Sequence, residues 1–158
     1  MTAVIALIVS SSAFGNQCRG FRVDKDREST VSITAIVRSM GGPAVPLRLE
    51  LHGTEARLVA APQNEGATAT PDAPGVFTFE GGAREAWMPV PAEQAASSAA
   101  GEVVFVLDDS QLALLSTRPL TQVILPIGSE RGLVAGPDKE NQQTLLDGAR
   151  CIVSRTAG

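Results

Sequence analysis

The sequence predicts an all-β domain, an antiparallel sandwich or partly open barrel of about eight to ten short strands with one or two short helices. Three observations carry that expectation. Leu47, Leu49 and Leu51 alternate with Arg48, Glu50 and His52, the period of a strand with one face buried. Ser29–Val37 is rich in β-branched residues on the same period, and Gly and Pro clusters punctuate the chain at strand-length intervals. Between Gly101 and Gly128 two apolar runs, Val103–Leu107 and Val123–Ile127, flank a Leu-rich segment, which makes this stretch the expected centre of the core. The 158 residues are one domain's worth, 44% hydrophobic and 19% charged, as in a globular chain.

Residues 1–15, MTAVIALIVSSSAFG, have the form of a secretory signal peptide. Ala3–Val9 supply the apolar region, and Ala13 and Gly15 stand at the −3 and −1 positions of a cleavage before Asn16. No Lys or Arg precedes the apolar region. The competing expectation is therefore a cytosolic β domain in which these residues form a buried strand. The apolar run is too short for a stable membrane-spanning helix, and no transmembrane segment is expected in the mature chain, 16–158. Export to the periplasm or the medium would let Cys18 and Cys151 pair and staple the ends of the domain. Closing that loop contributes about 4–5 kcal/mol in the chain-entropy account.

Along the mature chain, Phe21–Val23 reads as a first strand and Asp24–Glu28 as a solvated turn. Ser29–Val37 is the next strand, broken at Met40–Pro43. Leu47–His52 and Ala56–Ala60 form a hairpin about Gly53-Thr54-Glu55. The stretch 61–75 is a Pro/Ala/Thr loop, long for a compact domain. Val76–Glu80 is a strand, Gly81-Gly82 a turn, and Arg84–Val90 an extended piece whose Pro89, with Pro91 after it, assigns it to a sheet edge or to polyproline-like chain. Ala92–Ala100 suits either a short helix or a linker. After the Val103–Leu107 strand, Asp108 and Gln111 have the spacing of a capping box, opening a helix with Leu112, Leu114 and Leu115 inward. Pro119 ends it, and Thr121–Ile127 follows as a strand whose Pro126 suggests an edge. Gly128–Gly136 is glycine-punctuated. Pro137–Asp147 reads as a helix capped by Gly148, and Ala149–Ser154 as a closing strand that carries Cys151 to the first strand.

The net charge of −4 and scattered basic residues argue against a nucleic-acid partner. No phosphate-binding glycine loop or serine-nucleophile elbow occurs. Two thiols and one imidazole fall short of a four-ligand zinc site, so no metal or other cofactor is expected. His52, with Glu50 on its strand face and Glu55 in the turn, has the residue types of an acid–base pair or a weak metal site, but strand alternation alone places His52 on a charged, solvent-facing side. Asp108 and Asp109 are accounted for as a cap and a first-turn acid. No catalytic residue is assigned. The function expected is a binding or structural module of the cell envelope, meeting an unidentified partner through the 61–75 loop and the apolar edge of Trp87, Met88, Pro89 and Pro91. A lone Trp is also a common core residue. The alternative is a small hydrolase using Glu50, Glu55, Asp108 or Asp109.

Overall fold

The computed structural model describes residues 18, 22–24, 30–39, 42–62, 70, 72–91, 101–128 and 131–156. The expected signal peptide, most of the 61–75 loop and Ala92–Ala100 lie outside the described residues. Period-two patterning becomes an antiparallel meander. β2 (Thr30–Arg38) pairs with β3 (Ala44–His52), and β3 pairs with β4 (Glu55–Ala60) across the Gly53-Thr54 turn. Val31, Ile33, Ala35 and Val37 of β2 and Val45, Leu47, Leu49 and Leu51 of β3 are buried, matching the alternation. β4 continues to β7 (Val103–Leu107) with Leu58 opposite Phe105.

The other half of the wall is β5 (Gly75–Phe79), β6 (Arg84–Trp87), β8 (Leu120–Leu125) and β9 (Leu133–Pro137). The spatial order is β6-β5-β8-β9-β2-β3-β4-β7, every neighbouring pair antiparallel, with β1 (Arg22–Asp24) also paired to β2. The expected all-β class is found, as a nearly closed barrel with two helices among the described residues. Phe77, Phe79, Trp87, Phe105 and the inward leucines fill its interior.

The edge of β2 is shared. β1 takes Thr30–Ser32 and β9 takes Val37 and Arg38. Between those two partial ladders the wall is covered by α2 (Lys139–Thr156), whose Asn141 Oδ1 accepts the Ile36 N–H at 2.8 Å. α2 packs on β2 and on α1 (Asp109–Thr117). Leu145, Ala149 and Ile152 turn to the core at helical spacing.

Four expectations need correction. Ala149–Ser154 is the second half of α2 and not a strand, because the stripe Leu145, Ala149, Ile152 continues the helix through a buried Gly148. Cys151, on that helix, is joined to Cys18 with their Cα atoms 5.2 Å apart. The glycine-punctuated segment contains β9, in which Gly136 lies opposite Arg38. A Cβ at Gly136 would come within 2.9 Å of the Thr121 carbonyl oxygen, so close approach of β8 explains glycine inside a strand. Pro137 therefore ends β9, and Asp138 precedes the helix. Finally, β8 is an interior strand between β5 and β9; Pro126 lies just past its end, its carbonyl accepting the Thr70 N–H.

Candidate functional site

Seven antiparallel steps separate β6 from β7, so the two ends of the sheet run antiparallel and have the geometry to close the barrel. They close it only in part. Beyond β6 the chain continues as an extended strap, Met88–Pro91, alongside β7. The Val90 N–H donates to the Val104 carbonyl at 2.8 Å, which among the described residues is the one backbone hydrogen bond across this seam. Val90 also packs on Val59 and Val104, a small apolar cluster outside the main core.

Counting two residues back along the strap and two forward along β7 sets Met88 opposite Val106, and two more set Ala86 opposite Asp108. Ala86 and Asp108 do line one cleft, of about 340 Å³, with Glu85, Trp87, Ser110 and Gln111. The antiparallel register therefore persists while the strands splay. Met88 and Val106, opposite each other by that count, are exposed at 56% and 39%, large values for such residues. The Val104 carbonyl points away from β4, so on alternation the backbone groups of Val106 also face the seam.

Inside the seam the rings hold the two ends together. Phe77 stacks on Trp87 at 4.3 Å between centroids and meets Phe105 edge-on at 5.3 Å. Gly75, opposite Trp87, leaves the room these rings need: a Cβ there would lie 2.7 Å from Phe105 Cζ. Trp87 is 3% exposed, and its indole Nε1–H donates to Glu85 Oε2 at 2.9 Å. Of the expected partner-binding residues, Trp87 is thus a core residue at the edge of the cleft. Met88 and Pro91 are exposed, and Pro89 is half-buried.

Of the four candidate acids, Asp108, Glu55 and Glu50 have structural partners. Asp108 Oδ1 accepts the Gln111 N–H at 2.8 Å and Gln111 Oε1 accepts the Asp108 N–H, the capping box expected from their spacing. That backbone hydrogen bond, with one from the Ser110 hydroxyl, holds the Asp108 carboxyl below the usual aspartate range. Asp109 is exposed in the first turn. Glu55 accepts from Arg57 Nε at 2.6 Å.

On the outer face of β3, the Glu50 carboxylate lies between the Arg48 guanidinium, which donates through Nε, and His52 Nε2 at 2.6 Å. Arg48 reaches on to Glu102 at 3.2 Å. Burial raises the pKa of Glu50, but hydrogen bonds from His52 and Arg48 outweigh it, and the net shift is downward. An ionised carboxylate only accepts, which assigns the bridging proton to His52 Nε2. Alternation signalled that Arg48, Glu50 and His52 share a face. The link from Arg48 to Glu102, on the approach to β7, had no local signal.

Among the described residues no three of His, Cys, Asp and Glu are grouped to hold a metal. No protein-family model, curated protein or solved structure matches the chain. Its chemistry is read from the residues alone.

A larger concavity of about 720 Å³ lies outside the β2–β9 junction. Val134 and Gly136 are among its lining residues, Arg38 is the one charged one, and it is a shallow apolar trough. The seam differs in bringing exposed apolar side chains, seam-facing backbone groups and carboxylates to one place.

Proposed function

We propose that the protein is an exported binding module, stapled by its disulfide, that meets its partner along the β6–β7 seam and the strap Met88–Pro91. The observation that carries this reading is the seam itself. Of the three large hydrophobic residues exposed among the described ones, two, Met88 and Val106, lie on the strap and on β7 at this seam. Singly exposed apolar residues are ordinary on a protein surface, but two beside an incompletely paired strand edge suit the way sheet edges take extended segments. Support for export comes from the Cys18–Cys151 bridge, which is stable in an oxidising compartment, and from the small residues Ala13 and Gly15 after an apolar run. No helix among the described residues is long and apolar enough to cross a membrane.

Two measurements on the protein in its native host test the reading. Intact mass should give a species beginning at Asn16 and lighter by two hydrogens than the dithiol; a full-length, thiol-reactive protein would remove export. A photo-crosslinking residue at Met88 should give a discrete adduct that the same residue at Val134 does not. Identical patterns from the two positions would remove the seam as the contact.

A further inference from the structure

Resting on the seam as the contact surface, we infer the chemistry of what it takes: a short, extended peptide segment carrying Lys or Arg, laid as an added strand against β7. Three independent features point to it. The first is main-chain geometry. Val104 and Val106 direct their peptide groups toward the seam, and among the described residues only the Val104 carbonyl is met, by Val90. Pro89 and Pro91, at the alternate positions of the strap, would face away from β7, and among the described residues of the strap Val90 alone bonds to it. Asp108, the next seam-facing residue, spends its N–H on Gln111 and its carbonyl on Leu112, so an incoming strand meets a donor and an acceptor at Val106; peptide recognition by sheet edges works in this way.

The second feature is side-chain alternation. Met88 and Val106 offer apolar contact on the outer face, while Trp87, Phe77 and Phe105 form a rigid wall on the inner one. A strand that alternates apolar and polar residues matches both faces. The third is charge. The cleft is lined by Glu85 and Asp108 and by no Lys or Arg. Glu55, at the same end of the sheet, is already paired with Arg57, which lies opposite Val106, so the negative charge of the cleft is that of Glu85 and Asp108. Carboxylates at the mouth of a sheet edge favour a cationic strand and disfavour an acidic one, including a second copy of this chain at net charge −4.

Trp87 is the chain's only tryptophan and lines the cleft, so its emission reports occupancy directly. The full-length oxidised protein is titrated with three acetylated, amidated hexapeptides: TKVKVT, its acidic counterpart TEVEVT, and TKVKVT with every Lys and Val amide N-methylated. We expect TKVKVT to shift Trp87 emission saturably and the other two to leave it unchanged. In the double variant Glu85→Gln, Asp108→Asn, affinity for TKVKVT should fall about tenfold, the scale of lost cross-interface charge pairing. Gln retains an acceptor for the Trp87 indole and Asn retains the helix cap, so this variant should fold as the parent does. Equal binding of TEVEVT overturns the charge preference, and equal binding of the methylated peptide overturns strand addition. Dimerisation of the free protein that TKVKVT does not reverse assigns the seam to a second copy and also overturns the proposal. A Met88-dependent adduct in the host without any TKVKVT binding removes the peptide chemistry and keeps the binding-module reading; loss of both removes both.

Discussion

Glu50 shows how a charged side chain on a strand becomes structural. Its residue is 9% exposed, although its position on β3 faces outward, because Arg48 and His52 close over it from either side along the same strand. Residues two apart on one strand are neighbours on one face, so a single alternating run supplies the acid and both its partners. The depressed pKa fixes the sign of the pH dependence. A carboxyl whose folded pKa lies below its unfolded value contributes stability that is fully present above the unfolded value, near 4.5, and is lost as pH falls through the folded one. Glu50→Gln should therefore cost about 1–3 kcal/mol at pH 7, the scale of hydrogen bonds to a charged group. The gap from the parent should narrow steadily between pH 5 and pH 3. Urea unfolding of both proteins at several pH values measures it, and a gap independent of pH would show that the carboxylate charge contributes nothing.

Among elements, the clearest local rule is the Asp that follows a strand and opens a helix. It occurs twice: Asp108 between β7 and α1, and Asp138 between β9 and α2. Each accepts the N–H three residues on, from Gln111 and Asn141 respectively, at 2.8 Å. These backbone hydrogen bonds hold both carboxyls below the usual aspartate range. Asp108→Ala should lower the melting temperature by a few degrees while Asp108→Asn keeps most of it, since Asn caps nearly as well. Calorimetry of the two variants separates capping from charge. The Asp108 cap was readable from spacing alone, as was the meander of β2, β3 and β4 from alternation. Ala149–Ser154 was not. Ile152 and Val153 favour a strand by composition and Gly148 resembles a helix end, whereas the helix there is set by tertiary burial of Ala149, Cys151 and Ile152. β9 was hidden for a related reason, because its glycine answers to the backbone of β8 and to nothing in its own neighbourhood. The seam was legible only as a pair of unusual segments. Met88 and Pro91 stood out as an apolar edge, but their position against Val106 depends on a register closed across the whole barrel.

At the scale of the whole molecule, the bridge between Cys18 and Cys151 spans 133 positions in sequence. It joins the segment preceding β1, which adds a three-residue ladder to β2, to the helix that covers the split edge of the same strand. Replacing Cys18 and Cys151 together by Ser should destabilise the protein by about 4–5 kcal/mol, since a denatured chain with so large a loop closed has lost much of its entropy. That corresponds to a fall of roughly 10–20 °C in melting temperature for a domain of this size. Equal stability of the oxidised and serine proteins in urea would show that the bridge holds nothing the core does not.

The same bridge alters what a protease does to the molecule. Every peptide bond from Cys18 to Cys151 lies inside one covalent ring, so a single cut in any exposed connection opens the ring and releases no fragment. The two pieces stay linked and share one hydrophobic core. In an extracellular setting, where nicking is frequent, such a protein persists as an intact assembly until it is cut twice or reduced.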